Sequence, residues 1–229
     1  MFFFHVFLEK NKSSLASLID AFGKSLKSDA SVRYLAEEEF GVLGLIDASE
    51  CPPTYGSSFD DVRGFIHNGW EVMDNRENLE SFAKDKDETK ISFNDCSQRS
   101  QSDQNLHVIV NFSESDSFAK STEELRRKIA GRCLMITTSE KCSSTAERDP
   151  MSLGFELFSQ ADAQLTKLKG ASSIAKLLQQ FVQHLQFKLI LNAASTGGHV
   201  LKGLVSAERH YQLGSHFANY LKARSPRTA

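Results

Sequence analysis

Two short apolar runs with a helical pattern between them constrain this chain most. Leu106 to Phe112 and Arg132 to Thr138 are too short and too rich in β-branched residues to be helices, and both read as buried strands. Thr122 to Ala130 carries the intervening helix, with Ser121 or Thr122 as its N-cap. Strand, helix and strand in that order require a parallel sheet with right-handed crossovers. Upstream, Leu15, Leu18, Ile19, Phe22 and Leu26 recur at helical spacing ahead of a strand at Val32 to Leu35. Downstream, Ser152 to Phe158 reads as a further short strand. A long helix then starts at Ser172 or Ser173, places Ile174, Leu177, Leu178, Phe181, Leu185 and Leu189 on one side, and ends around Gly197-Gly198. With 229 residues and 40% hydrophobic content, one α/β domain with additions is the expected architecture.

Charge and cysteine usage narrow the classes of function. The net charge is −2 with lysines and arginines scattered, so no basic patch is present to hold a nucleic-acid backbone or an acidic membrane. Neither partner is expected. Cys51, Cys96, Cys133 and Cys142 have no paired spacing and no histidine at ligand distance, which supports neither a zinc site nor a disulfide framework. Reduced thiols in a cytosolic or nuclear protein fit that pattern, and no cofactor is indicated. The opening Met1 to Leu8 is apolar but short, lacks a preceding basic segment and runs into Glu9-Lys10-Asn11-Lys12, unlike a secretory signal or a membrane span. It reads as an atypical terminus packed in a groove, or as an artefact of gene prediction. From Asn75 to Gln104 the chain is polar, with Ile91 and Phe93 as anchors, and is expected to be a surface excursion. Ser139 to Asp149 reads as a linker.

The segment richest in chemistry is Asp47-Ala48-Ser49-Glu50-Cys51-Pro52-Pro53-Thr54-Tyr55-Gly56. It follows an apolar helix containing Phe40, Val42, Leu43, Leu45 and Ile46, and Pro52 with Pro53 should stop that helix near Glu50. A carboxylate at a helix C-terminus opposes the dipole by about 0.3 to 1 kcal/mol. Glu50 therefore needs a cationic partner, a ligand or solvent.

This segment resembles the signature of the N-acetylmuramic acid 6-phosphate etherases. Phe59-Asp60-Asp61-Val62-Arg63-Gly64-Phe65, directly after it, resembles the second sugar-isomerase (SIS) domain of the related glucokinase regulatory protein family. Ile91 to Asp95 and Leu191 to Gly203 extend the likeness, which covers Ser14 to Val205. The resemblance implies an SIS-type three-layer α/β fold, a parallel sheet flanked by helices. It divides the chain into a helical segment at 1–30, an SIS domain at 31–205 with a polar insertion near 75–104, and a divergent tail at 206–229. In that tail, Ser206 to Tyr211 replaces an Asn-Arg-Met-like stretch and a lysine-bearing segment of the relatives, through truncation, splicing, gene-model error or divergence.

By resemblance Glu50 matches a glutamate that is catalytic in the etherases and touches phosphosugar in the regulatory protein. An etherase working by elimination and rehydration needs a second carboxyl group. Its relatives take that group from a Glu-Gly-Ala-Glu-Asp-like segment, where this chain reads Glu71-Val72-Met73-Asp74-Asn75. Ser195 and Thr196, with Gly197, fall by resemblance beside the cleft between two SIS domains, and the same triplet also reads as a helix end. Arg63 is expected to pair locally with Asp60 or Asp61, and His199 to pack or cap.

SIS domains that hold phosphate use a Gly/Ser/Thr-rich turn after the first strand, where this chain has Ala36-Glu37-Glu38-Glu39-Phe40-Gly41. Each glutamate repels phosphate by on the order of 1 kcal/mol, so three of them turn it away. The expectation is a noncatalytic module that binds a sugar phosphate of the fructose 6-phosphate or fructose 1-phosphate class through Glu50, Ser195 and Thr196. Its implied partners are a second SIS domain in cis or trans and a glucokinase- or hexokinase-type enzyme. The alternative is an N-acetylmuramic acid 6-phosphate etherase, with Glu50 as its acid/base residue.

Overall fold

The computed structural model describes residues 2–73, 87–99, 101–112, 115–138, 152–157 and 172–204. Five parallel strands, β1 (Val32–Ala36), β2 (Val62–Ile66), β3 (Leu106–Asn111), β4 (Arg132–Thr138) and β5 (Ser152–Phe155), form one sheet in the order β2-β1-β3-β4-β5. The chain starts one strand in from an edge, steps outward to β2, then crosses back over β1 to β3. That reversal sends its right-handed crossovers to opposite faces. Helices α1 (Phe2–Lys27), α2 (Glu38–Tyr55) and α5 (Ser172–Lys202) cover one face, and α3 (Phe93–Gln98) and α4 (Asp116–Arg126) cover the other.

Strand alternation builds the two cores. Val32, Tyr34 and Ala36 of β1 and Leu106, Val108 and Val110 of β3 point toward α1, α2 and α5, where they meet Phe22, Leu26, Phe187 and Leu191. Leu35, Phe65 and Ile109 point the other way, onto Phe93, Cys96, Phe118 and Leu125. Ile91 to Gln98 is thus core-building rather than a surface excursion. Its helix opens with a reciprocal capping box in which Ser92 and Asp95 satisfy each other's backbone N–H groups. Met1 lies outside the described residues. Phe2 to Leu8 of the apolar opening belong to α1, and Phe7 is fully buried.

Several element boundaries differ from the sequence expectation, each for a local reason. The helix before β4 begins six residues early, because Ser115 accepts from the Phe118 amide at 3.2 Å while Thr122 turns into the core. β2 escaped recognition as a strand because it carries Arg63 and Gly64 at its centre. Arg63 is neutralised by Asp60 at 3.4 Å, donates to the Asp87 carbonyl at 3.0 Å and lies 4.2 Å from the centre of the Phe59 ring. Gly64 admits α2, since a β-carbon there would stand 2.7 Å from the Leu45 amide.

Gly197 and Gly198 do not end α5, which continues to Lys202 and is followed by Gly203 at φ 89°. They are its contact with α1: β-carbons at these positions would lie 2.6 Å from Ile19 Cγ2 and 2.5 Å from Phe22 Cδ1. Toward its N-terminus the same helix leaves Leu177, Leu178, Phe181 and Leu185 exposed. Ser139 to Asp149 and the 206–229 tail lie outside the described residues. Among the described residues no helix is long and apolar enough to cross a membrane.

Two outcomes follow from this packing. Gly198→Val should destabilise the fold by about 1 to 3 kcal/mol in urea titration, because the new side chain must displace buried Phe22. His107, fully buried with Arg33 Nη1 3.5 Å from its Nε2, has its pKa lowered by burial and by that guanidinium from 6.5 to about 4. Its contribution is therefore fully present above pH 6.5 and lost as pH falls through about 4, a change of about 3 kcal/mol. Chemical denaturation of His107→Gln between pH 7 and 4 should show a flatter acid limb than wild type.

Candidate functional site

Pro52 and Pro53 do not stop α2 near Glu50. The helix runs through both prolines to Tyr55 and closes on Gly56, whose φ of 65° and N–H bond to the Pro52 carbonyl form a left-handed cap. Proline removes a donor to the carbonyl four residues back, here those of Ala48 and Ser49, yet the helix continues, and the Cys51 thiol donates to the Asp47 carbonyl at 3.3 Å. Glu50 thus projects from a regular turn, its side chain 55% exposed.

The partner that its position demands is Lys188 of α5, a residue that sequence reasoning passed over. Lys188 Nζ donates to Glu50 Oε2 at 2.7 Å and to Asp47 Oδ1 at 3.0 Å. Asp47 is buried and accepts in addition from the Tyr34 hydroxyl of β1 at 2.8 Å and from Ser195 Oγ at 3.5 Å. Burial pushes the Asp47 carboxyl up from its usual range, and Lys188, Tyr34 and Ser195 pull it back in part. Burial also works against the Lys188 ammonium, but the two carboxylates outweigh it and hold its pKa above the ordinary lysine value. The Cys51 thiol is driven far upward by burial and by Asp47, so it is no nucleophile.

Sequence reasoning placed Glu50, Ser195 and Thr196 in the site, and all three lie along the α2–α5 seam. Ser195 is buried against Asp47, and Thr196 Oγ1 is 2.7 Å from the Tyr55 hydroxyl. Tyr55 in turn stacks on His199 at 4.3 Å, and His199 Nδ1 donates to the Ser195 carbonyl at 2.7 Å. Burial lowers the His199 pKa. Lys202 binds Asp61 at 2.9 Å. One signal for Lys188 was present in the sequence: it stands two helical turns before Ser195, on the same face, inside the run Phe187 to Leu191 that is otherwise apolar.

The acidic turn lies elsewhere. Glu37 is the N-cap residue of α2 without a side-chain cap bond, and Glu38 sits at φ 47°, in the left-handed region. Twelve residues of helix separate Glu38 from Glu50, about 18 Å at 1.5 Å per residue. No monosaccharide phosphate spans that distance.

Residues 10–122 match the family model for the second SIS domain of the glucokinase regulatory protein. The chain is 42% identical over 66 residues to an N-acetylmuramic acid 6-phosphate etherase of Clostridium botulinum (strain Okra / Type B1), covering 29% of this chain and 22% of that protein. It is 24% identical over 198 residues to the etherase of Photobacterium profundum, covering 86% of this chain and 60% of that one. Against etherase 1 of Vibrio cholerae it is 24% identical over 191 residues, 83% and 57% of the two chains. The matched stretches thus span between about a fifth and three fifths of these relatives. The expectation of a noncatalytic module is overturned by their names, which are those of an enzyme.

The unequal burial of the two carboxylates gives a test. Asp47→Ala should cost about 3 kcal/mol in thermal or urea unfolding, because it leaves a buried Tyr34 hydroxyl and part of the Lys188 charge uncompensated. Glu50→Ala should cost less than about 1 kcal/mol, as expected for a half-exposed pair.

Proposed function

Because the chain belongs to the SIS-domain family that unites the glucokinase regulatory protein with the N-acetylmuramic acid 6-phosphate etherases, we propose that it is the Glu50-bearing portion of an etherase-type lyase. The observation that carries this reading is the state of Glu50. It is the accessible carboxylate of the signature segment, presented by a continuous helix and held by one well-anchored ammonium. In an etherase a carboxyl group of this kind exchanges a proton with the sugar while the lactyl ether departs, and water then adds to the unsaturated intermediate. The sugar keeps a hydroxyl where the ether stood, and lactate leaves.

The 18 Å between Glu50 and the β1–α2 turn, together with the three glutamates of that turn, supports a divided site. A second SIS domain, in cis or in trans, cradles the phosphate and brings the sugar to Glu50. Exposed Ile46, one turn before Glu50, and exposed Leu178, Phe181 and Leu185 on α5 supply apolar surface for such a neighbour. Thr196 and Ser195 lie farther along the same seam, where a hydroxyl could meet the ligand once the neighbour closes.

The family model matched is that of the regulatory protein, and this favours a second reading of the ligand as fructose 6-phosphate or fructose 1-phosphate, with a glucokinase- or hexokinase-type enzyme as partner. The experiment that separates the two is lactate release. Incubation with N-acetylmuramic acid 6-phosphate, with a phosphate-holding SIS domain supplied in trans where the chain alone is silent, should liberate lactate, and Glu50→Gln should lower the rate about 100- to 10,000-fold. Saturable calorimetric binding of a fructose phosphate without lactate release would select the second reading.

A further inference from the structure

We propose that Lys188 is a positioning residue that sets the working orientation of Glu50, so that the acid/base carboxylate is aimed by α5 and not by its own helix. The proposal rests on the reading of Glu50 as the acid/base group. An exposed glutamate on a terminal helical turn has several rotamers of similar energy, and a catalytic one must occupy a single rotamer. Lys188 restricts that freedom through a bond of 2.7 Å to Oε2, which holds one carboxylate oxygen and leaves Oε1 as the oxygen that Lys188 does not engage.

The lysine is itself immobilised. Its side chain is 19% exposed and bound to Asp47, which is held in turn by Tyr34 from the interior strand β1. The order of anchoring is therefore sheet, buried carboxylate, ammonium, exposed carboxylate. A simple clasp between α2 and α5 would need only the bond between Lys188 and buried Asp47. The additional, shorter bond to a half-exposed glutamate adds little to stability. What it does add is direction.

The test uses the full chain, with lactate release from N-acetylmuramic acid 6-phosphate as the kinetic readout. Lys188→Met should lower kcat roughly 10- to 100-fold through misplacement of the carboxylate, with KM changed less than about 3-fold. Lys188→Arg should recover part of the loss. Adding Lys188→Met to Glu50→Gln should cost nothing further, because the lysine acts only through the glutamate. Losses that multiply in the double variant, or a wild-type kcat in Lys188→Met, would overturn the proposal. Should Lys188→Met fail to fold, Lys188→Gln takes its place with the same two outcomes.

If the wild-type chain releases no lactate either alone or with a phosphate-holding SIS domain supplied in trans, the Glu50 reading has failed, and Lys188 is judged by side-chain NMR alone. The Glu50 χ couplings should report one rotamer in wild type and averaging in the lysine variant. Couplings unchanged between the two would refute the positioning role.

Discussion

Burial of the Asp47 carboxylate is the constraint around which the α2–α5 face is arranged. A charge with that little access to water survives only if it is paired and hydrogen-bonded, and its three partners come from two elements. Tyr34 arrives from the interior strand β1, and Lys188 and Ser195 from a helix some 140 residues after Asp47. Registering these groups on one carboxylate fixes how far α5 slides along α2. The same alignment brings Phe187 against Phe40 at 5.3 Å and Thr196 against Tyr55. It also presents Glu50 with its ammonium.

Most of the sheet was legible in the amino-acid sequence, because β1, β3 and β4 are short apolar runs bounded by polar turns. β2 was not, since Gly64 beside Arg63 interrupts its apolar run, where β1 has Tyr34 beside Arg33, and Arg63 is accommodated by Asp60, Asp87 and Phe59. Helix ends were misplaced where a local rule met a tertiary one. Two prolines predict a stop, but α2 continues through them for one more turn to its Gly56 cap. A glycine pair predicts a cap, but here it makes room for Ile19 and Phe22. In the candidate site, Glu50, Ser195 and Thr196 were visible through a family signature. Lys188 was hidden because an isolated cation in an apolar helix gives no clue to which distant carboxylate it serves.

Helix geometry also separates the two halves of the chemistry. In a parallel sheet with this strand order, ligands gather at the carboxyl ends of the strands, beside the place where the strand order reverses. That crevice lies by the β1–α2 turn, whereas Glu50 stands toward the opposite edge. In the etherase reading proposed above, recognition of the anion and proton transfer are divided in this way, and assembly with a second SIS domain reunites them.

Glu38 keeps a backbone conformation that suits glycine, although its β-carbon raises the energy by about 1 to 2 kcal/mol. The turn between β1 and α2 thus holds a strained bend and three carboxylates at the entrance of the helix. Removing those negative charges would take away the repulsion that an anion meets at the start of α2, with no change to the bend itself.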